Sequence, residues 1–280
     1  MAAESDGPAR SAETEKLWNE TGVDPVELHL GKDSGFTLRA YRMSDTLPGP
    51  QATEPEEDEE SAEAPREAED EPKGRRRKGA EVDDADPEDE DAPEPDAADF
   101  EDDDEEAADE EVDALDADPE EVPVFLTRKG KLLLFREPEA LVAYVKENDD
   151  HDLAAIEEYA ELQERLTVDD VACDEDDTYE LDLVVANLRG GHDTWEPELL
   201  IKAAEVGRDL GYALRNDSIV GSLAPGSPLD DLDETFRIVV DGGLRGKLAK
   251  RRLRKNDAQQ AAIAWRGVIA KINDYVDWRK

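Results

Sequence analysis

Residues 245–255 place seven cations in eleven positions with no acid among them: Arg245, Lys247, Lys250, Arg251, Arg252, Arg254 and Lys255. Such a cluster can neutralise phosphates, and each phosphate contact steepens the salt dependence of binding. No aromatic is interleaved among the cations to stack on a base, and the field of a strongly acidic chain repels polyanions. The same cluster can hold an acidic protein segment, the chain's own acidic tract included, or serve only as a solvated helix face. At the level of sequence all three uses stay open.

The other constellations offer less chemistry. Gly242-Gly243-Leu244-Arg245-Gly246-Lys247-Leu248 has the look of a phosphate loop. Its glycine spacing is short, however, and Leu248 stands where a magnesium-binding Ser or Thr is needed. Asp174-Glu175-Asp176-Asp177 is acidic enough for calcium but lacks the central Gly and the terminal Glu, so a helix-capping role fits better. His192-Asp193 could be half of an acid–base pair, yet no activated Ser or Cys motif accompanies it. The one cysteine, Cys173, cannot form an internal disulfide, and His29, His151 and His192 show no zinc-ligand spacing. No catalytic residue, metal site or cofactor is expected, and the chain does not read as an enzyme.

The elements that would carry these residues are an α+β set. After a polar, disordered stretch over 1–13, Val26–Leu30 alternates apolar and polar residues as a half-buried strand does. Turn residues at 31–35 lead to a second alternating run, Phe36–Arg42, which completes a hairpin signature. Val124-Phe125-Leu126 and Leu132-Leu133-Leu134-Phe135 flank a further turn at 128–131. Neither hairpin is stable alone, so the expectation is one four-stranded antiparallel sheet. From Glu137 the period turns helical and predicts five or six helices. Pro138 and Pro197 open two of them, and Asp177 with Glu180 form a capping box for a third. The last repeats Ala262, Trp265, Ile269, Ile272 and Val276 at spacings of three and four. Glycines at 207, 211, 221, 226, 242 and 243 fit either close helix packing or an exposed groove.

Between the two hairpins the composition changes. The 280-residue chain carries 77 acidic and 33 basic residues, a net charge of −44, and its mean hydropathy is −0.78. Residues 51–122 alone hold 36 acidic and 6 basic side chains, leaving −14 for the rest. Nine prolines and a single aromatic, Phe100, over 48–121 cannot bury enough apolar surface to offset ordering entropy. The tract is expected to be a disordered insertion between strands two and three, interrupted by a basic island at 73–78. The expected organisation is therefore a tail (1–13), a first domain part (14–47), the insertion (48–121) and the domain remainder (122–280). No apolar run spans a membrane, and the N-terminus lacks a secretory pattern, so a cytoplasmic protein is expected, without membrane insertion.

Several runs carry a resemblance. Thr14–Trp18, Thr21–Val26, Phe36–Arg42, Tyr179–Val185, Leu188–Asp193 and Arg251–Lys255 look like an uncharacterised actinobacterial family whose members often bear the label primosomal protein. The layout is also similar, more distantly, to that of SatS, the mycobacterial protein-export chaperone of the accessory Sec pathway. That similarity rests on the two hairpins, Leu132–Phe135 leading into Glu139–Val145, His151-Asp152-Leu153, and a closing helix from Trp265 to Trp278. It implies an ATP-independent protein that shields clients in hydrophobic grooves, and it brings no catalytic residues. The expected function is a non-enzymatic, chaperone-like protein-binding module, export-related, whose acidic loop supplies solubility or self-inhibition. The alternative is a nucleic-acid-associated protein, replication or transcription linked, that uses residues 245–255.

Overall fold

Val23–Leu30 and Asp33–Met43 pair antiparallel as strands β1 and β2, in register from Val23 opposite Ala40 to Leu30 opposite Asp33. In the computed structural model, which describes residues 10–47 and 119–280, Gly31 opens the turn between them at φ +71°. Glycine enters that left-handed region without steric cost. The second hairpin is split into β3 (Glu121–Phe125), antiparallel to β2, and β4 (Thr127–Arg128), antiparallel to β5 (Lys131–Phe135). Its turn residues Lys129 and Gly130 both have positive φ, as a tight two-residue hairpin requires.

The sheet is larger than four strands and is not purely antiparallel. β6 (Thr178–Glu180) runs parallel to β1, and β7 (Val276–Arg279) runs parallel to β5, giving seven strands among the described residues. Both additions sit where a helical reading continued across a boundary. Three residues are too few to show a two-residue period, and Val276 happens to fall on the repeat of the preceding helix. The capping box is likewise replaced. Helix α4 starts at Leu181 with Glu180 as an N-cap that makes no side-chain bond. Asp177 is instead claimed by arginines.

Helices cover both faces. Before the sheet comes α1 (Ala12–Thr21), capped by the Ser11 hydroxyl accepting the Thr14 N–H at 3.1 Å. Arg10 to Glu13, expected in the disordered tail, are therefore part of the fold. α2 (Pro138–Glu147) and α3 (Tyr159–Arg165) follow the second hairpin, separated by a 3-10 turn at Asp152–Ala155. α1, α2 and α3 bury Trp18, Leu141, Val145 and Leu162 against Leu38, Leu133 and Phe135. The opposite face receives α4 (Leu181–Arg189), α5 (Pro197–Ala213), α6 (Asp217–Leu223), α7 (Pro228–Asp241), α8 (Gly243–Leu253) and α9 (Ala258–Asp274). Val26, Leu28, Leu132 and Leu134 point into that larger core, with Leu210, Phe236 and Trp265. The run Leu132-Leu133-Leu134-Phe135 thus feeds two cores alternately, which is why it is apolar throughout.

Nine helices rather than five or six appear among the described residues, because α1, α6 and α8 are short or polar and carry weak periodic signals. Of the glycines, Gly207 and Gly211 serve close packing. A Cβ there would lie 2.8 Å from Leu223 and 2.9 Å from Ile219. Residues 1–9 and 48–118 lie outside the described residues, and with them most of the expected tail, the acidic tract and the 73–78 island. The flanks of that tract are firmly held, since Met43 pairs with Glu121 and the Ser44 N–H donates to the Glu120 carbonyl at 2.8 Å. The segment is an insertion between β2 and β3.

Candidate functional site

Gly242 and Gly243, at φ +74° and +68°, reverse the chain between α7 and α8. Three residues on, a Cβ at Gly246 would meet the carbonyl oxygens of Ile238 and Val239 at 3.1 and 3.3 Å. These glycines let α8 lie directly against the last turns of α7, so the loop resembling a phosphate cradle is a helix crossing. Only Gly246, Ala249 and Leu253 of α8 are buried. All seven cations of 245–255 are exposed. Arg254 pairs with Asp193 at 3.1 Å. The other six make no ion pair among the described residues. Lys250, Arg251 and Arg252 stand in the last turn, where positive charge complements the helix dipole.

Sequence reasoning noted the cations and missed what lies between them. Leu244 and Leu248 are 81% and 60% exposed, and Val240 at the end of α7 is 51% exposed. Their spacing of four was a visible signal. Beside this corner lies a cavity of about 110 Å³, floored by Trp195, Phe236, Val239 and Leu253 and rimmed by His192, Lys250 and Arg254. The Trp195 ring meets Phe236 edge-on at 5.7 Å and stacks tilted against His192 at 4.4 Å, while its Nε1 donates to the Leu188 carbonyl at 2.9 Å. His192 Nε2 faces the Asn256 carbonyl at 2.8 Å and Asp193 faces Arg254, so the two side chains of the expected acid–base pair are turned to other partners. The site offers an apolar floor the size of one aliphatic side chain, with Lys250 and the Arg254–Asp193 ion pair at its mouth.

A second cleft, about 320 Å³, opens at Arg39, Tyr41, Tyr179 and Asp209. The Arg39 guanidinium donates to the Tyr179 hydroxyl at 2.7 Å and to Asp177 at 3.1 Å, and lies 3.5 Å from Asp209. Tyr41 donates to Asp209 at 2.5 Å. Burial pushes the Asp209 carboxyl and the Tyr41 hydroxyl above their ordinary ranges. Asp177 also accepts from Arg10 at 2.7 Å, and Asp174 pairs with Arg10 at 3.0 Å, so the acidic 174–177 run meets arginines. On the far side Arg208 is spent on Asp230 and Asp233, both at 2.8 Å. This cleft is an ionic brace tying β2 and β6 to α5.

The sequence profile of the SatS C-terminal domain family matches residues 108–273, more than half of the chain. The chain belongs to the SatS C-terminal domain family. Among solved structures it is similar to the crystal structure of the SatS C-terminal domain in complex with bromine. Identity is 18% over 94% of this chain and 96% of that one, with a TM-score of 0.55, so the likeness is one of fold. No curated protein matches. The SatS resemblance is thereby shown, and the primosomal label finds no support in these comparisons.

Of two titratable groups that the sequence raised, His151 is buried and Cys173 half-buried in this SatS-type fold. Burial pushes the Cys173 thiol far up, which suppresses the thiolate that nucleophilic chemistry needs. His151 accepts the Ala154 N–H on Nδ1 at 3.2 Å, while its Nε2 faces the Asn148 carbonyl at 3.1 Å and the Tyr159 hydroxyl at 2.7 Å. That arrangement selects the neutral ring protonated on Nε2. Desolvation lowers its pKa, outweighing the Asn148 bond and the pull of Asp149, Asp152 and Asp150. The unfolded chain therefore takes up this proton first. The stability held by neutral His151 is whole above about pH 6.5 and is lost as the pH falls toward the lower folded-state value. Replacing His151 with Gln is expected to flatten the fall in urea midpoint between about pH 7 and 5; an unchanged slope would remove His151 as its source.

Proposed function

We propose that this SatS-family chain is a non-enzymatic, chaperone-like protein-binding module, cytoplasmic and export-related, that holds apolar client side chains at the α7–α8 corner. The observation that carries the reading is the cavity floored by Trp195, Phe236, Val239 and Leu253 beside the exposed Val240, Leu244 and Leu248. Isolated exposed apolar residues are ordinary. A group of three beside an aromatic-floored cavity is the composition of a binding surface. The family resemblance to an export chaperone points the same way. In this reading the acidic composition of 51–122 keeps chain and client dispersed through net charge.

Suppression of aggregation of a thermally unfolded client by the full chain tests this directly. Protection at stoichiometric excess is expected. The substitution Val239→Arg puts a charge at the cavity wall and is expected to raise the amount needed about tenfold, read beside its urea unfolding transition so that loss of fold is told apart from loss of binding. Absence of protection by the unsubstituted chain removes the proposal.

A further inference from the structure

Around α8 the side chains sort by angle. Gly246, Ala249 and Leu253 form the buried line. Directly opposite, at helical spacings of four and seven from Leu244, run Leu248 and Arg251. Lys247 and Arg254 flank this crest on one side, and Arg245 and Arg252 on the other. The two most solvent-directed positions of the first half of the helix are thus leucines, and every long side chain around them is a cation. From residue 242 to 256 there is no acid.

We propose that α8 docks this chain on the surface of an anionic lipid bilayer, with Leu244 and Leu248 entering the headgroup boundary and the surrounding arginines and lysines pairing with lipid phosphates. A helix with an apolar line and a dense cationic surround lies in the plane of such a surface, its long side chains covering apolar area while their charged ends stay in the phosphate layer. At eleven residues α8 is too short to span, and no described helix is long and apolar enough to do so. The shape also selects the partner. A protein segment is held in a groove, whereas the crest of α8 is convex and suits a flat, deformable surface. A nucleic-acid phosphate track has no use for two leucines at the point of closest approach, and no aromatic stands among the cations to stack on a base.

Among the described residues, carboxylates farther from α8 than a Debye length, about 8 Å at physiological salt, are screened there, so the cationic face can approach a negative surface. Contact through this face shares Leu244 and Leu248 with the client reading and leaves the cavity floored by Trp195, Phe236, Val239 and Leu253 open.

Flotation of the full chain with vesicles of phosphatidylglycerol, against pure phosphatidylcholine, tests the proposal. Binding to the anionic vesicles alone is expected, falling with salt. Each cation neutralised, Arg251→Gln for example, is expected to weaken partitioning about fivefold. The pair Leu244→Gln and Leu248→Gln, both at exposed positions and checked by an unchanged unfolding transition, is expected to weaken it at least about tenfold. No flotation at low salt overturns the proposal. So does flotation indifferent to the leucine pair, which is adsorption by charge alone. Retention on duplex DNA or on an acidic peptide without flotation assigns the face to those ligands and overturns it too. Aggregation suppression is a separate readout, so either reading can fail alone.

Discussion

Arg39→Ala is expected to lower the free energy of unfolding by about 3–5 kcal/mol, the cost of removing one partner from a buried charge pair. Arg39 is only 7% exposed although it sits in β2, a strand of alternating pattern. Its guanidinium meets the Tyr179 hydroxyl, Asp177 and Asp209, and lies 5.1 and 5.6 Å from the ring centroids of Tyr41 and Tyr179. Without it Asp209 keeps the Tyr41 hydrogen bond but loses its positive neighbour, in a place where burial already raises its pKa. Asp24 is raised too, by burial first and then by Asp177, so the vacated site holds like charges. A carboxyl whose folded-state pKa is raised takes up a proton on folding, and its stability contribution is lost as pH rises through that value. The deficit of Arg39→Ala relative to the unsubstituted chain should therefore be larger at pH 7 than at pH 5, read from urea unfolding. Equal deficits at both would assign the loss to packing. Arg39→Met, which keeps the stem, is expected to recover little.

The same residue shows where sequence reading stops. Alternation from Phe36 to Arg42 correctly marks a strand, and it suggests that Thr37, Arg39 and Tyr41 face water. The helical half covers that face instead, so Thr37 and Arg39 are buried. Polar residues on a strand read as exposed until a second layer claims them, and the partners of Arg39 lie about 140 and 170 positions away with no local signal. The long helices α5 and α9, both hairpins and the insertion point were legible because each rests on local periodicity, Pro placement or composition, whereas α7 reads as a short helix and runs to 14 residues. β6 and β7 were not, since short parallel strands are defined by the edge they join. At the candidate site the cations were legible by count. The crest needed the knowledge that Gly246, Ala249 and Leu253 face inward, which depends on α7 packing against glycine backbone.

Removing Val276–Lys280 is expected to be the most damaging small deletion, costing about 4 kcal/mol or more and converting a folded chain into one that associates. Among the described residues β7 pairs with β5, Leu132 opposite Val276 through Phe135 opposite Arg279. The Leu132 N–H donates to the Tyr275 carbonyl at 2.8 Å and the Arg136 N–H to the Arg279 carbonyl at 3.1 Å, and net about 1 kcal/mol attaches to each such bond. Trp278 adds its apolar area beneath the Arg136 guanidinium, 4.9 Å from the ring centroid. Its seat is Gly35 of β2, where a Cβ would lie 2.8 Å from the indole and 3.1 Å from the Phe135 carbonyl. Gly35 therefore belongs to a sheet contact and not to the turn its composition suggested. Without β7 the strand that feeds both cores becomes an open edge, a template for pairing with another chain. Static light scattering and the urea midpoint read the two effects, and a truncated chain that scatters no more and melts no earlier would show β7 to be incidental. Gly35→Val tests the same joint from the other side. It should approach the truncation in the intact chain and cost distinctly less in Trp278→Ala, because neighbours that share one seat do not add.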